Sequence, residues 1–173
     1  MVTMLLLTLN LVASAQIDLS GTWTLDKAKS KNLPPDMNQI TNIIQSGDKI
    51  LLKTKLITNE GEVDTSDSYD LSGKEIDLTS VLSKSSTTSS DDPDDRGSTL
   101  KATNTAKKKR SAKRTTDGIE VKESLIYPSE NGEVTIQITR KWMLSSDGKT
   151  LRIDIVAQSP SGTQRTEQVF NKK

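Results

Sequence analysis

Short runs in which apolar and polar residues alternate, each bounded by Gly, Asn, Asp or Ser, recur along most of this chain. A two-residue period marks half-buried antiparallel strands, because successive side chains of a strand point to opposite faces. Gly21–Leu25 opens the series, with Trp23 and Leu25 on one face. Gln39–Gln45 and Lys49–Thr58 follow, separated by Ser46-Gly47-Asp48, which has the chemistry of a tight hairpin turn. In the second of these runs Ile50, Leu52 and Leu56 share a face, with Thr54 among them. A more polar strand over Glu62–Leu71 sets Val63, Tyr69 and Leu71 inward, and Glu75–Leu82 does the same with Ile76, Leu78 and Leu82.

The final third is the most regular part. Ile119–Tyr127 alternates, and Val134, Ile136, Ile138, Arg140, Trp142 and Leu144 lie on one face of a long strand. Ser146-Asp147-Gly148-Lys149 turns it into Leu151–Gln158, and Ser159-Pro160-Ser161-Gly162 leads to a closing strand, Thr163–Phe170. Between 83 and 118 the pattern breaks, for only Leu100, Ala102, Ala106 and Ala112 are apolar there. Ser83–Gly97 reads as a flexible acidic loop with Asp91-Asp92-Pro93-Asp94-Asp95 at its tip. Leu100–Ala106 has the pattern of one further strand, and Lys107–Arg114 then places six basic residues in eight positions. The best helical candidate is the short stretch Asp26–Lys31. The prediction is an all-β protein, an antiparallel up-and-down β-barrel of eight to ten strands, since closing a meander removes its exposed edges.

Composition narrows the picture. At 173 residues the chain is one domain long, and an apolar content of 32% with five aromatic residues leaves a small core of Ile, Leu and Val. Residues 1–15 read as a signal peptide: an apolar run from Met4 to Val12 precedes Ala13-Ser14-Ala15, a small-x-small cleavage site ahead of Gln16. Residues 16–173 are then a single barrel domain with a polar insertion at 83–98. Without cysteine there is no lipid attachment after the signal, so the expected location is periplasmic or secreted. The absence of both Cys and His removes thiol nucleophiles, disulfides, thiolate metal sites and the imidazole base. Residues 1–95 carry 8 basic and 15 acidic side chains, and residues 96–173 carry 16 and 8, a split that favours attraction between the two halves of a folded barrel.

Gly21-Thr22-Trp23 on the first strand of the mature chain resembles the Gly-x-Trp signature of the lipocalin-like, or calycin, barrels. The fuller phrases Leu19-Ser20-Gly21-Thr22-Trp23-Thr24-Leu25-Asp26 and Trp142-Met143-Leu144-Ser145-Ser146-Asp147-Gly148-Lys149 are similar to small exported bacterial members of that group whose function is largely unassigned. The resemblance implies that Gly21 permits close approach at the strand entry and that Trp23 plugs the closed end. It further implies a basic side chain from the last strands stacked on the Trp ring, with Arg140 and Arg152 as candidates.

Arg140 stands in phase with Ile138 and Trp142, so its charge points inward. A buried, unpaired guanidinium is costly, so it either meets a carboxylate or an aromatic ring, or lines a wet lumen and holds an anionic ligand. The leading functional expectation is an exported binding protein whose lumen takes a small amphiphilic or apolar molecule. Leu52, Leu56, Ile136 and Ile138 would bury its apolar part, and Arg140 or Tyr69 would orient its polar end. The alternative is a solid barrel of the cell envelope that contacts anionic polymers through Lys107, Lys108, Lys109 and Arg110. The pairs Glu62 with Asp64 and Glu75 with Asp77 alternate to the polar face, where nothing tunes them for acid–base work. No enzyme activity, cofactor, metal site or transmembrane segment is expected; the Asp91–Asp95 cluster lacks the spacing of a calcium loop.

Overall fold

The structure, a computed structural model, describes residues 17–83, 103–129 and 132–173. The expected signal peptide at 1–15 lies outside the described residues, as do residues 84–102 of the polar insertion with its Asp91–Asp95 tip.

Among the described residues ten strands follow in order: β1 (Gly21–Leu25), β2 (Asn38–Ser46), β3 (Lys49–Thr58), β4 (Gly61–Asp70), β5 (Ile76–Ser83), β6 (Thr103–Arg114), β7 (Ile119–Ser129), β8 (Gly132–Leu144), β9 (Thr150–Ser159) and β10 (Gly162–Lys172). They form one antiparallel sheet in the order β4-β3-β2-β1-β10-β9-β8-β7-β6-β5. This is the all-β, up-and-down meander expected, at the top of its strand range. Chain-adjacent strands pair throughout except at one place, and β1 pairs with β10, setting Trp23 opposite Lys172 and Leu25 opposite Phe170.

The exception is a seam. β4 and β5 form the two ends of the sheet and are not hydrogen-bonded neighbours. The chain crosses between them at the base, where Ser72 bridges to Lys113 and the Gly73 amide donates to the Ala112 carbonyl at 2.8 Å.

One expectation is corrected. The helical candidate Asp26–Lys31 is a single turn in which the Ser30 amide donates to the Asp26 carbonyl, and no helix occurs among the described residues. The basic run Lys107–Arg114 is the second half of β6, paired with β7 along its length and with β5 over Lys107–Arg110.

Alternation fills the concave face unevenly. Leu19, Trp23, Ile43, Ile50, Tyr69, Leu71, Ala112, Ile119, Val121, Trp142, Leu151 and Phe170 form one buried cluster at the end where β2 turns into β3 and β8 into β9. Toward the opposite end the inward-facing aliphatics, among them Leu56, Leu125, Ile136, Ile138 and Ile155, are only half-buried. A packed base thus supports a looser upper half.

Candidate functional site

The base is closed by Trp23, fully buried, whose indole Nε1 donates to the Leu19 carbonyl at 2.9 Å. The cation over its ring is neither Arg140 nor Arg152 but Lys172, with Nζ 5.2 Å from the ring centroid. Gly21 makes room for it, since a Cβ at that position would stand 2.6 Å from Lys172 Cε. Arg152 instead forms a two-pronged pair with Asp154, at 2.9 and 2.7 Å, on the outer face. The pairing of β1 with β10 sets Lys172 directly opposite Trp23, a relation between strands that the sequence of neither strand displays.

Directly above the packed base lies a cluster of charges. Ile119, Val121 and Glu123 are successive inward positions of β7, so the carboxylate of Glu123 points into the interior, and its side chain is 2% exposed. Three cations converge on it from the two neighbouring strands. Arg110 Nε donates at 2.6 Å and Lys108 Nζ stands at 2.8 Å, both from β6, and Arg140 Nη1 from β8 donates to the second oxygen. Burial by itself pushes the Glu123 carboxyl up, but the charge of Arg140, the hydrogen bonds from Lys108 and Arg140 and the charge of Arg110 outweigh it and hold the pKa at about 2.

Arg110 also reaches across the seam. Its Nη2 donates to Asp67 at 2.7 Å, its Nη1 to the Ser68 carbonyl at 3.0 Å, and its guanidinium lies 4.3 Å over the ring of Tyr69. Burial drives the Tyr69 phenol up to about 12, with the Arg110 charge pulling the other way. Among the described residues two carboxylates, Glu123 and Asp67, therefore face three cations, which leaves one positive charge in excess. Arg140 is the more accessible of its two arginines: its side chain is 26% exposed, and among the described residues its only side-chain hydrogen bond is the one from Nη1.

The sequence-derived site residues thus separate into two groups. Arg140, Tyr69, Leu52, Leu56, Ile136 and Ile138 all face the interior, Tyr69 and Leu52 beside the base and the others higher. The four-residue surface patch is not formed. Lys108 and Arg110 point inward to Glu123, while Lys109 points outward to Glu75 at 3.1 Å and Asp77 at 3.9 Å; only Lys107 stands exposed without an ion pair among the described residues. A strand sends neighbouring side chains to opposite faces, so a continuous basic run cannot be a continuous basic surface on one. Glu123 was missed in the sequence, although its signal was present: a carboxylate in phase with Ile119, Val121 and Leu125.

The acidic first half and basic second half attract as expected, through Asp67 with Arg110, Glu75 with Lys109 and Asp48 with Arg114. Glu62 and Asp64 are exposed on the outer face of β4, Glu62 bonded to Lys55. Among the described residues no group of acidic side chains is placed to hold a metal ion. Shallow grooves mark the outside of the sheet, one of about 520 Å³ between β2, β3 and β4 lined by Ile40, Lys53, Lys55 and Asp64.

No protein-family model matches this chain, and no curated protein matches it. Among solved structures it is similar to the zebrafish ileal bile acid-binding protein complexed with cholic acid, at 14% identity and a TM-score of 0.45, over 90% of this chain and 98% of that one. It is similar to the fatty-acid-binding protein of Manduca sexta at 10% identity and a TM-score of 0.42, over 89% and 99%. A third similar structure, secretory abundant heat soluble protein 4 from Ramazzottius varieornatus, gives 14% identity and a TM-score of 0.41, over 90% and 94%. The all-β architecture itself stands on the strand pairing described above.

Proposed function

We infer that this protein binds a small anionic amphiphile in the upper half of its barrel. The observation that carries the reading is Arg140, the more accessible arginine of a cluster with one positive charge in excess, which holds hydrogen-bond donors without a protein partner among the described residues. Around and above it stand half-buried aliphatic side chains, Ile136, Ile138, Leu56 and Leu125, suited to an apolar tail. Arg140 takes the anionic end, Tyr69 and Arg110 back it from below, and each Å² of tail removed from water contributes about 25 cal/mol. The charge cluster also sets selectivity. A cationic ligand would add a fourth positive charge to the three that Glu123 already serves, and a neutral one would leave the excess charge unmet.

The test pairs a fluorescent long-chain carboxylic acid with its uncharged methyl ester. The acid binds saturably and the ester more weakly. Arg140→Met lowers affinity for the acid by about tenfold or more, the value of one charge-assisted hydrogen bond, and leaves the ester unchanged. Absence of saturable binding, or equal loss for both probes, overturns the reading.

Export belongs to the same proposal, on the strength of the apolar run and Ala13-Ser14-Ala15. Intact mass of the exported protein then begins at Gln16; a mature chain that keeps Met1 contradicts it.

A further inference from the structure

We propose that the seam between β4 and β5 receives an extended peptide strand of a partner protein, one whose residues alternate between basic and aliphatic. The inference does not depend on the lumen holding a ligand.

The first ground is an open edge. Among the described residues β4 pairs with β3 alone, so one side of its backbone is unpartnered. The Ser68 carbonyl identifies that side, because it accepts from Arg110 reaching across the seam. Alternate residues of a strand direct their amide and carbonyl to the same side, so Ser66, Asp64 and Glu62 present theirs to the seam as well. Arg110 caps the edge at Ser68 and leaves the stretch above it free to pair.

The second ground is apolar. Of the three large hydrophobic residues that stand exposed among the described residues, Val63 on β4 (55%) stands on the open stretch itself and Ile76 on β5 (40%) at the foot of the seam, level with Arg110. Both belong to the inward-facing set of their strands, Val63 opposite Leu56 and Ile76 opposite Arg110. An edge strand guarded against association carries charges in such places; here an aliphatic side chain waits beside unpaired backbone.

The third ground is charge. On the outer face the open stretch of β4 is rimmed by Glu62 and Asp64, while Asp70, Glu75 and Asp77 stand at the foot of the seam around the level of Arg110, all exposed. Lys55 and Lys109, which pair with Glu62 and Glu75, stand one strand further back on each side. A strand added to β4 would therefore meet the carboxylates at direct cross-strand distance and the lysines only beyond them. Its outward positions call for Lys or Arg, its inward positions for Val, Ile or Leu next to Val63. The same carboxylates oppose pairing of β4 with another β4, which disfavours a second copy of this chain as the occupant.

The probe is a fluorescein-labelled Lys-Val-Lys-Val-Lys-Val peptide, titrated against the full chain by anisotropy. Its block isomer Lys-Lys-Lys-Val-Val-Val and an alternating Glu-Val peptide serve as controls. The alternating basic peptide binds saturably, and both controls bind at least about tenfold more weakly. Ser66→Pro removes an amide that faces the seam, a position where an edge strand tolerates proline, and weakens binding by about tenfold while leaving circular dichroism unchanged. Glu62→Lys with Asp64→Lys, both on the surface, reverses the preference toward the Glu-Val peptide and carries the test should Ser66→Pro not fold. Equal binding of the block isomer, indifference to the charge reversal, or no saturable binding overturns the proposal. So does sedimentation in which Ser66→Pro converts a dimer to a monomer, since the occupant would then be a second copy.

Discussion

Tyr69 on β4 and Trp142 on β8 meet edge to face, with ring centroids 5.2 Å apart and planes at 77°. The two strands lie on opposite sides of the curled sheet, so the contact is one of the places where the concave face closes on itself. It also puts the phenol of Tyr69 under Arg110, at the floor of the charge cluster. An aromatic pair of this kind adds about 0.5–1.5 kcal/mol beyond the area it buries.

Burial of Tyr69 has an alkaline signature. Its phenol titrates near 10 when unfolded and near 12 when folded, so its contribution is complete below pH 10 and is lost as pH rises toward 12, about 3 kcal/mol in all. Tyr69→Phe keeps the ring and removes the proton. Urea melts of the two proteins should diverge little at pH 8, while the variant gains on the wild type between pH 10 and 12. A constant difference across that range would mean that the phenol reaches solvent.

Glu123 acts at the other end of the scale. The unfolded carboxylate binds its proton near 4.5 and the folded one only near 2, so its stabilisation is complete above about pH 4.5 and disappears as pH falls through 2, again about 3 kcal/mol. Glu123→Gln leaves Arg110, Lys108 and Arg140 without their shared counter-charge and should cost about 3–5 kcal/mol at pH 7. The deficit should shrink as the pH is lowered from 4.5 to 2. If it is the same at pH 3 as at pH 7, the carboxylate is not the group that holds the cluster together.

Trp23→Ala removes the largest side chain of the closed base and should destabilise the protein by about 3–5 kcal/mol in denaturant melts. A loss below about 1 kcal/mol would contradict its role as the plug. Lys172→Met should have a small effect by comparison, because the lysine is itself exposed and a solvated cation over a ring contributes little.

Gly118, in the turn from β6 to β7, sits where a Cβ would stand 1.8 Å from the Trp142 carbonyl oxygen. Backbone cannot yield as a side chain can, so Gly118→Ala should push β8 away from the turn. We expect a loss of about 2 kcal/mol or more, together with a shift in Trp fluorescence. An unchanged melting temperature would mean that the turn moves freely.

The strands were legible because a curled sheet with one packed face enforces the two-residue period along nearly every run. Arg140 was legible for the same reason, lying between Ile138 and Trp142. The basic stretch of β6 hid its own alternation, since Lys108 and Arg110 differ from Lys107 and Lys109 in direction and not in chemistry; Ala112 was the sole apolar marker of phase. The partner of Arg140 required knowing that β7 lies beside β8 with Glu123 opposite Ile138, a relation between strands that periodicity within one strand does not contain. The seam was invisible on similar grounds. Β-strand pattern describes Glu62–Leu71 and Glu75–Leu82 well, and nothing in either says that they fail to pair.

The pairing of β1 with β10 has a consequence for how the molecule comes into being. The strand made earliest finds one of its two neighbours only when the strand made latest arrives, and the buried cluster draws on nearly every strand in between. No partial chain can complete this core. While the chain grows, Trp23 and Ile43 wait on an uncovered surface, and folding must come late and nearly all at once, at the slow pace of contacts between distant segments.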